Sequence, residues 1–274
     1  MLTNKEQLLF SSIRSRQCYN PSLINYKINR INDIDIQKYS NKLKFSKFIK
    51  DISSINYNKP IILKNNVGFL LNDKNNLYIN FQGSKNYLEL LDSVNSKSIS
   101  PFDFSDSEIH SGFGTLFLDI KDELTEEIIN IIKSYNIKRI TFTGHSKGGS
   151  MASIASLYYG HKLNYNDKNF FISNHTFGMP VTGDQKFIND LLNYCDISFN
   201  VQNDNDIVQY IPLNKNFKHV PLVIKIYEDT FRIDNETKTL NLTDLLLFGV
   251  KQRYDLIKNH SCEQYIENII NKLL

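Results

Sequence analysis

The sequence predicts an α/β fold with a mostly parallel central sheet and helices on both faces. From Arg139 onward, short β-branched and apolar runs alternate with segments whose apolar residues recur every three or four positions. Strands that alternate with helices of about 10 to 15 residues are typical of parallel strands joined by crossover helices. Hydrophobic residues make up 41% of the 274 residues, which is enough to bury a sizeable core.

Each element has its own signal in the chain. The apolar runs 67–71 and 77–81 flank the turn-forming segment 72–76 and predict a β-hairpin. The next helix is predicted from apolar positions at spacings of three to four, namely Leu116, Ile120, Leu124, Ile128, Ile131 and Tyr135. The same reasoning then predicts, in order, strand 139–143, helix 147–161, strand 169–176, helix 185–194, strand 197–202, a two-stranded element at 220–227 and 230–233, and helices 242–258 and 262–273.

The chain is predicted to form one large domain with an N-terminal extension. Residues 1–55 mix apolar and basic positions without strong strand signals, so they are interpreted as a helical extension. Residues 56–274 contain no linker rich in Pro, Gly or Ser, since the whole chain has 11 glycines and 6 prolines. They are therefore assigned to a single domain.

Charge and cysteine content exclude several classes of function. The 32 Lys and Arg and 29 Asp and Glu are interspersed, and the net charge of +3 does not indicate a nucleic-acid partner. The basic stretch 42–50 is interpreted as a solvated helix face. Cys18, Cys195 and Cys262 lie far apart in the sequence, so neither a metal site nor a disulfide framework is predicted, and no cofactor is expected.

The distribution of apolar residues along the chain indicates where in or outside the cell the protein is expected. No run approaches the roughly 18 to 20 apolar residues that would span a bilayer, so no transmembrane segment is expected. Residues 1–16 lack the long apolar segment of a secretory signal, which predicts a cytoplasmic or peripheral membrane location.

A possible nucleophile lies where strand 139–143 meets the following helix. Residues 144–149 read Gly-His-Ser-Lys-Gly-Gly and have the strand-turn-helix context that a G-x-S-x-G nucleophile elbow requires. A serine held in such a strained turn needs glycine two residues before it and two after it, because β-carbons there would clash. Gly144 and Gly148 occupy those positions around Ser146, and Gly149 permits close packing.

The base and the acid are less well defined by the residues alone. In the α/β-hydrolase arrangement the chain order is Ser, then Asp or Glu, then His, which leaves His219 and His260 as candidate bases. His145 is expected to point into the fold. Asp206 follows a predicted strand at its carboxyl end, where active sites of open α/β sheets lie, and Asp204 is the competing acid.

Several blocks, in order, resemble the class 3 lipases. Residues 81–84, Phe-Gln-Gly-Ser, are similar to the family's Phe-Arg-Gly-Thr/Ser oxyanion segment, and 144–149 resemble its Gly-His-Ser-Leu-Gly-Gly. Residues 176–183, Thr-Phe-Gly-Met-Pro-Val-Thr-Gly, are similar to its Thr-Phe-Gly-x-Pro-Arg-x-Gly, and 206–212 to its Asp-Pro-Val-Pro-x-Leu-Pro. The resemblance extends from about Leu77 to Tyr265.

The resemblance implies an α/β-hydrolase fold and a serine carboxylic ester hydrolase that acts on lipid esters such as acylglycerols, without a cofactor. It implies Ser146 as nucleophile, Asp206 as acid and His260 as base, with Ser84 and Lys147 as oxyanion donors. A phospholipase A1 or a small-ester esterase would use the same triad. A catalytically silent scaffold that binds a lipid or a protein is the alternative outside the enzymes.

The segment between Ser84 and His110 is expected to control access to the site. Tyr87, Leu90, Leu91 and Val94 fall at helical spacing with polar residues between them, which predicts a short amphipathic helix. Phe102 and Phe104 follow in a loop rich in Ser and Asp. We interpret the segment as a candidate lid that opens at a membrane or lipid-droplet surface, the alternative being a helix packed permanently on the core.

Overall fold

The computed structural model describes residues 4–19, 58–84, 97–164, 166–212, 214–220, 223–227, 230–234 and 258–273. Most of the predicted extension, the candidate lid residues 87–94, the basic stretch 42–50 and the predicted helix 242–258 therefore lie outside the described residues.

Most strands in the described ranges match the predicted ones. Their bounds are β1 (Ile61–Ile62), β2 (Gly68–Asn72), β3 (Asn76–Phe81), β4 (Ser98–Ile99), β5 (Ile109–His110), β6 (Arg139–His145), β7 (Phe171–Phe177), β8 (Gly183–Asp184), β9 (Ile197–Asn203), β10 (Phe217–Lys218), β11 (Val223–Ile226) and β12 (Phe231–Asp234). The hairpin predicted at 67–81 is the antiparallel pair β2 and β3, in which Leu70 pairs with Ile79.

The helices of the described residues are α1 (Asn4–Gln17), α2 (Ser111–Ser134), α3 (Lys147–Asn164), α4 (Gln185–Tyr194) and α5 (Cys262–Asn268). A π-helical turn, Ile269–Leu273, continues α5. Helix α4 has the predicted bounds, whereas α3 ends three residues later than predicted.

The central sheet has eight strands in the order β1-β2-β3-β6-β7-β9-β11-β12. The neighbours from β3 to β11 pair in parallel, and antiparallel pairs flank them at both ends. A smaller sheet of short antiparallel strands has the order β10-β8-β5-β4. The prediction of a mostly parallel sheet is confirmed.

Strand β6 shows how helices cover both faces of the sheet. Its residues alternate in direction, as in any strand. Ile140 and Phe142 join the buried cluster that also contains side chains of α2, α3 and α4. Thr143 lies on the other face, where its hydroxyl is 3.2 Å from the hydroxyl of Ser15 in α1.

Helix α1 packs closely on this second face. Leu8, Leu9 and Ile13 are buried in a cluster with residues of β9, β11 and α5. Small polar side chains complete the contact, since Ser11 Oγ lies 2.9 Å from Nδ1 of the buried His175 on β7. The division of the chain into residues 1–55 and 56–274 stays a prediction, because residues 20–57 are not described.

Phe102 and Phe104, which were interpreted as part of the candidate lid segment, belong to the core region. Phe102 is 6% exposed and contacts Phe117 of α2 with ring centroids 6.3 Å apart. Phe104 stacks on His161 of α3 at 3.8 Å. These two loop residues therefore pack on α2 and α3. The aromatic content of the loop does not by itself distinguish residues that pack on the core from residues of a lid.

Candidate active site

Ser146 lies in a strained turn between β6 and α3. Its φ of 57° is in the left-handed region that residues with a β-carbon rarely adopt. The backbone N–H of Ser146 donates to the carbonyl of Phe177 at the end of β7, at 2.9 Å, which fixes the turn to the neighbouring strand. This is the geometry predicted for a nucleophile elbow.

The glycines around Ser146 are required by close backbone contacts. A β-carbon on Gly144 would lie 2.1 Å from the carbonyl oxygen of Gly148, and one on Gly148 would lie 2.4 Å from the carbonyl oxygen of Phe81. A β-carbon on Gly149 would contact the side chain of Met179 at 3.0 Å. The steric reason inferred from the G-x-S-x-G spacing is therefore present in the structure.

Ser146, His260 and Asp206 form a buried chain of hydrogen bonds. The hydroxyl of Ser146 lies 2.8 Å from Nε2 of His260, and Nδ1 of His260 lies 2.8 Å from Oδ2 of Asp206. Because the carboxylate only accepts, Nδ1 carries the proton and Nε2 is left to accept from the serine. The exposed fractions are 2%, 8% and 0% for Ser146, His260 and Asp206, so water is largely excluded.

Asp206 is held by further donors at both oxygens. Its Oδ1 accepts from the backbone N–H of Val208 at 2.9 Å, and its Oδ2 accepts from the hydroxyl of Tyr265 at 2.6 Å. Gly178, with a φ of 56°, lies beside the same carboxylate, and a β-carbon there would be 2.8 Å from Oδ2. These contacts hold the carboxylate of Asp206 in the position in which it accepts from His260.

The competing acid and bases have other partners. Asp204 is more exposed and pairs with Lys225 at 3.2 Å. His219 contacts the backbone carbonyl of Gln209 through Nε2. Burial is the main cause that lowers the pKa of His219 to about 4. Among the candidate acids and bases, Asp206 and His260 are the pair that the fold joins to Ser146 through hydrogen bonds.

His145 points into the fold, as expected, and contacts the base histidine. Its Nε2 lies 2.6 Å from the backbone carbonyl oxygen of His260, and its Nδ1 lies 2.7 Å from the hydroxyl of Tyr19. Burial, and then the nearby His260 ring, hold the pKa of His145 well below its ordinary value. The side chain is therefore neutral at physiological pH.

The predicted oxyanion segment lies against the elbow. The carbonyl of Phe81 contacts Gly148, and a β-carbon on Gly83 would lie 2.6 Å from the carbonyl oxygen of His145. Ser84 follows directly and is partly buried. Lys147 is the first residue of α3, where backbone N–H groups point toward the helix N-terminus. Lys147 thus follows Ser146 directly, and the segment that ends at Ser84 contacts the elbow through Phe81 and Gly83.

The described ranges also bear on metal binding and on membrane insertion. No group of three His, Cys, Asp or Glu side chains there is placed to hold a metal ion. None of the helices described is long and apolar enough to cross a membrane.

Comparisons with known proteins agree with this geometry. Residues 78–216, about half of the chain, match the family described as Lipase (class 3). The chain belongs to the class 3 lipase family. A secreted mono- and diacylglycerol lipase of Malassezia restricta is 32% identical over 120 residues, which are 41% of this chain and 39% of that protein. The match thus spans about two-fifths of the length of this curated relative.

Solved structures show that the chain has the α/β-hydrolase fold. A fungal lipase superposes with a TM-score of 0.69 at 14% identity and covers 95% of this chain and 96% of its own. A triacylglycerol lipase described as having a serine protease triad at its catalytic centre superposes with a TM-score of 0.64 at 17% identity, with 94% of each chain covered.

The expected cytoplasmic or peripheral membrane location is wrong. The Malassezia restricta relatives of this chain are named as secreted. The prediction rested on the apolar content of residues 1–16 alone. In the structure, Leu8, Leu9 and Ile13 of this segment are buried as part of α1, so their apolar character serves packing and does not indicate a location.

Sequence reasoning missed two tyrosines, one that contacts Asp206 and one that contacts His145. Tyr265 was noted for its position after His260, and its bond to Asp206 was not foreseen. Tyr19 gave no signal, because it lies 126 residues before the histidine it contacts, in the segment interpreted as an extension.

Proposed function

We propose that this protein is a serine carboxylic ester hydrolase that acts on acylglycerols, with Ser146 as nucleophile, His260 as base and Asp206 as acid. The observation that carries the proposal is the buried chain Ser146–His260–Asp206, with both hydrogen bonds at 2.8 Å. Family membership supports the reaction class, and the relative named as a mono- and diacylglycerol lipase supports the substrate.

The geometry supports acyl transfer in two steps. His260 Nε2 takes the proton of Ser146 as its oxygen attacks the ester carbonyl, and the imidazolium then donates that proton to the departing alcohol. Water attacks the acyl-enzyme with His260 again as base, and the acid product leaves Ser146 free. Asp206 holds the Nδ1–H tautomer and stabilises the imidazolium in both steps.

Ser84 and the backbone N–H of Lys147 would stabilise the oxyanion that forms in each step. A single donor of this kind contributes about 10²- to 10³-fold to turnover. Lysine at position 147, where the family has leucine, leaves the backbone N–H that would donate to the oxyanion intact. The change would instead alter the side chain near the substrate head group.

We also propose that the protein acts outside the cell, as the name of its relative suggests. Two observations are compatible with an oxidising compartment. Cys18, Cys195 and Cys262 are all buried, which shields their thiols. Asn174, which opens an Asn-x-Thr sequon, is 1% exposed and donates to Ser153 and Ser198, so we expect it to carry no glycan.

A substrate panel tests the proposed activity. Purified wild type and Ser146→Ala are compared on monoacylglycerol, diacylglycerol, triacylglycerol, phospholipid and a short aryl ester, with fatty acid or alcohol release as the readout. We expect the wild type to hydrolyse acylglycerols at least about 10³-fold faster than the variant. Preference for phospholipid would favour the phospholipase A1 alternative, and equal rates for both proteins would contradict a serine mechanism.

The candidate lid formed by Tyr87, Leu90, Leu91 and Val94 stays a prediction. If it gates the site at a lipid surface, turnover of a partly soluble ester rises more steeply once the substrate exceeds its critical micelle concentration. A rate that saturates with monomer and does not change at that concentration would contradict it.

A further inference from the structure

We propose that the turn after α1, formed by Cys18 and Tyr19, is a positioning element that holds the oxyanion segment and the base histidine in place. The proposal rests on the proposed function, because it assigns a role toward Ser84 and His260. In this proposal, the N-terminal segment supports the active site and is not an extension separate from it.

The first contact runs from Tyr19 through His145 to His260. The backbone carbonyl of His260 can only accept, so Nε2 of His145 carries the proton of their 2.6 Å bond. Nδ1 of the neutral ring is then an acceptor, and the hydroxyl of Tyr19 donates to it at 2.7 Å. The direction of both hydrogen bonds is therefore fixed, from Tyr19 to His145 and from His145 to the main chain of His260.

Tyr19 and His145 both remain uncharged near neutral pH. Burial is the largest cause that raises the pKa of Tyr19 well above its ordinary value, and burial lowers the pKa of His145. Near neutral pH the tyrosine thus keeps the proton that it donates, and His145 keeps one acceptor and one donor nitrogen. The contact acts as a fixed support and not as a proton relay.

A second contact joins the same turn to the oxyanion segment. The side-chain amide of Gln82 donates to the backbone carbonyl of Cys18 at 2.5 Å. The next residue, Gly83, lies against the hydroxyl of Tyr19, since a β-carbon there would be 2.0 Å from that oxygen. The class 3 lipases that the sequence resembles have arginine at the position of Gln82. In this protein the side-chain amide of Gln82 bonds the turn that follows α1.

The turn itself is anchored to the fold. Helix α1, which carries it, is bound to β6 and β7 through Ser15 and Ser11 and forms an ion pair between Arg16 and Glu263 of α5. A backbone shift of about 1 Å at a catalytic group can cost about 10²-fold in rate. A rigid turn that bonds residue 82 and, through His145, residue 260 can hold the oxyanion donor and the base at a constant separation.

Two conservative variants test the proposal. Tyr19→Phe and Gln82→Met each remove one donor at nearly constant size, and Gln82→Arg restores a donor at the same position. Tyr159→Phe is the matched control, because it also removes one buried tyrosine hydroxyl, which bonds α3 to Lys121 and Thr125 of α2. For each protein, kcat and KM on a soluble aryl ester are measured together with the melting temperature.

We expect Tyr19→Phe and Gln82→Met each to lower kcat about tenfold with KM changed less than about twofold, because positioning acts on the transition state. Tyr159→Phe keeps kcat within about twofold of wild type at a similar loss of melting temperature, and Gln82→Arg recovers most of the kcat lost in Gln82→Met. If both donor variants fold and keep the kcat of Tyr159→Phe, the positioning role is overturned. A wild type that hydrolyses no ester overturns the proposed function, and the positioning role with it.

Discussion

The hydroxyl of Tyr265 donates to Oδ2 of Asp206 at 2.6 Å, and the same oxygen accepts from Nδ1 of His260 at 2.8 Å. Tyr265 also accepts from the backbone N–H of Asn203, at 3.0 Å, where β9 ends. One buried tyrosine thus joins the acid to the strand that precedes it. The carboxylate oxygen that accepts from His260 is therefore held by a second donor.

Tyr265→Phe should lower kcat/KM about five- to tenfold. The change removes a donor to the charged carboxylate and leaves the Asn203 amide without this acceptor, and such a loss costs about 1–3 kcal/mol. Part of that cost will be seen as a lower melting temperature. Steady-state kinetics and thermal unfolding of the variant check the prediction. Unchanged kinetics in a destabilised protein would limit Tyr265 to a structural role.

Asp206→Asn should lower kcat about 10⁴-fold while the fold is retained. An amide nitrogen at this position can donate to His260 and so favour the wrong tautomer, and the equivalent change in a serine protease triad has an effect of this size. The matched control is Asp204→Asn, two residues earlier, which removes an ion pair with Lys225 at a more exposed position. It should keep kcat within about twofold, since partly exposed pairs contribute little. Similar losses in both variants would contradict the assignment of the acid.

Much of this site was predictable because its signals are local. The glycines around Ser146 follow from the sterics of one turn, and α4 and the β2–β3 hairpin follow from periodicity over 10 to 15 neighbouring residues. The choice of Asp206 over Asp204 and of His260 over His219 came from the resemblance to the class 3 lipases, because the residues alone left these alternatives open.

The contacts that support the triad were not predictable in the same way. Tyr265 lies 59 residues from Asp206, and Tyr19 lies 126 residues from His145. No periodicity encodes such a distance, and a tyrosine that donates one buried hydrogen bond has the same sequence pattern as one at the surface. Phe102 was misinterpreted for a related reason, since an apolar residue in a polar loop indicates burial without indicating against what.

Ser146→Gly should be at least as stable as Ser146→Ala, and both should be inactive. In regular structure, a glycine in place of alanine ordinarily lowers the stability of the protein by about 0.5–1 kcal/mol. A residue with a β-carbon in the left-handed conformation lowers it by about 1–2 kcal/mol. The φ of 57° at Ser146 should therefore cancel or reverse the usual order. Chemical denaturation measures the difference in the free energy of unfolding.

The matched pair for this comparison is Ser150→Gly and Ser150→Ala. Ser150 is buried inside α3, so glycine there should be less stable than alanine by about 1 kcal/mol. If the order of glycine and alanine is the same at both positions, the elbow is not strained.

The free energy of unfolding should fall as the pH falls below about 6.5, in part because of His175. Burial, and then the charge of Arg139, lower its pKa from 6.5 to about 3. Between these values the unfolded chain binds a proton at His175 and the folded protein does not, so stability is present above pH 6.5 and is lost toward pH 3. One such group contributes a slope of up to about 1.4 kcal/mol per pH unit.

His175→Asn should reduce this slope, which denaturation at several pH values between 3 and 7 measures. Ser11→Ala is the control, because it removes the hydrogen-bond partner of His175 and leaves the titrating ring in place. It should lower stability at all pH values and retain the slope. Equal slopes for wild type and His175→Asn would show that the buried histidine does not contribute.

Ser146 is expected to be an activated nucleophile, and this claim can be tested by covalent labelling. The most direct measurement is the intact mass of wild type, Ser146→Ala and Asp204→Asn after treatment with a lipid-like fluorophosphonate, with and without detergent micelles. We predict a single adduct on wild type and on Asp204→Asn, and none on Ser146→Ala. An unmodified wild type under both conditions, or an adduct that persists in Ser146→Ala, would contradict the claim.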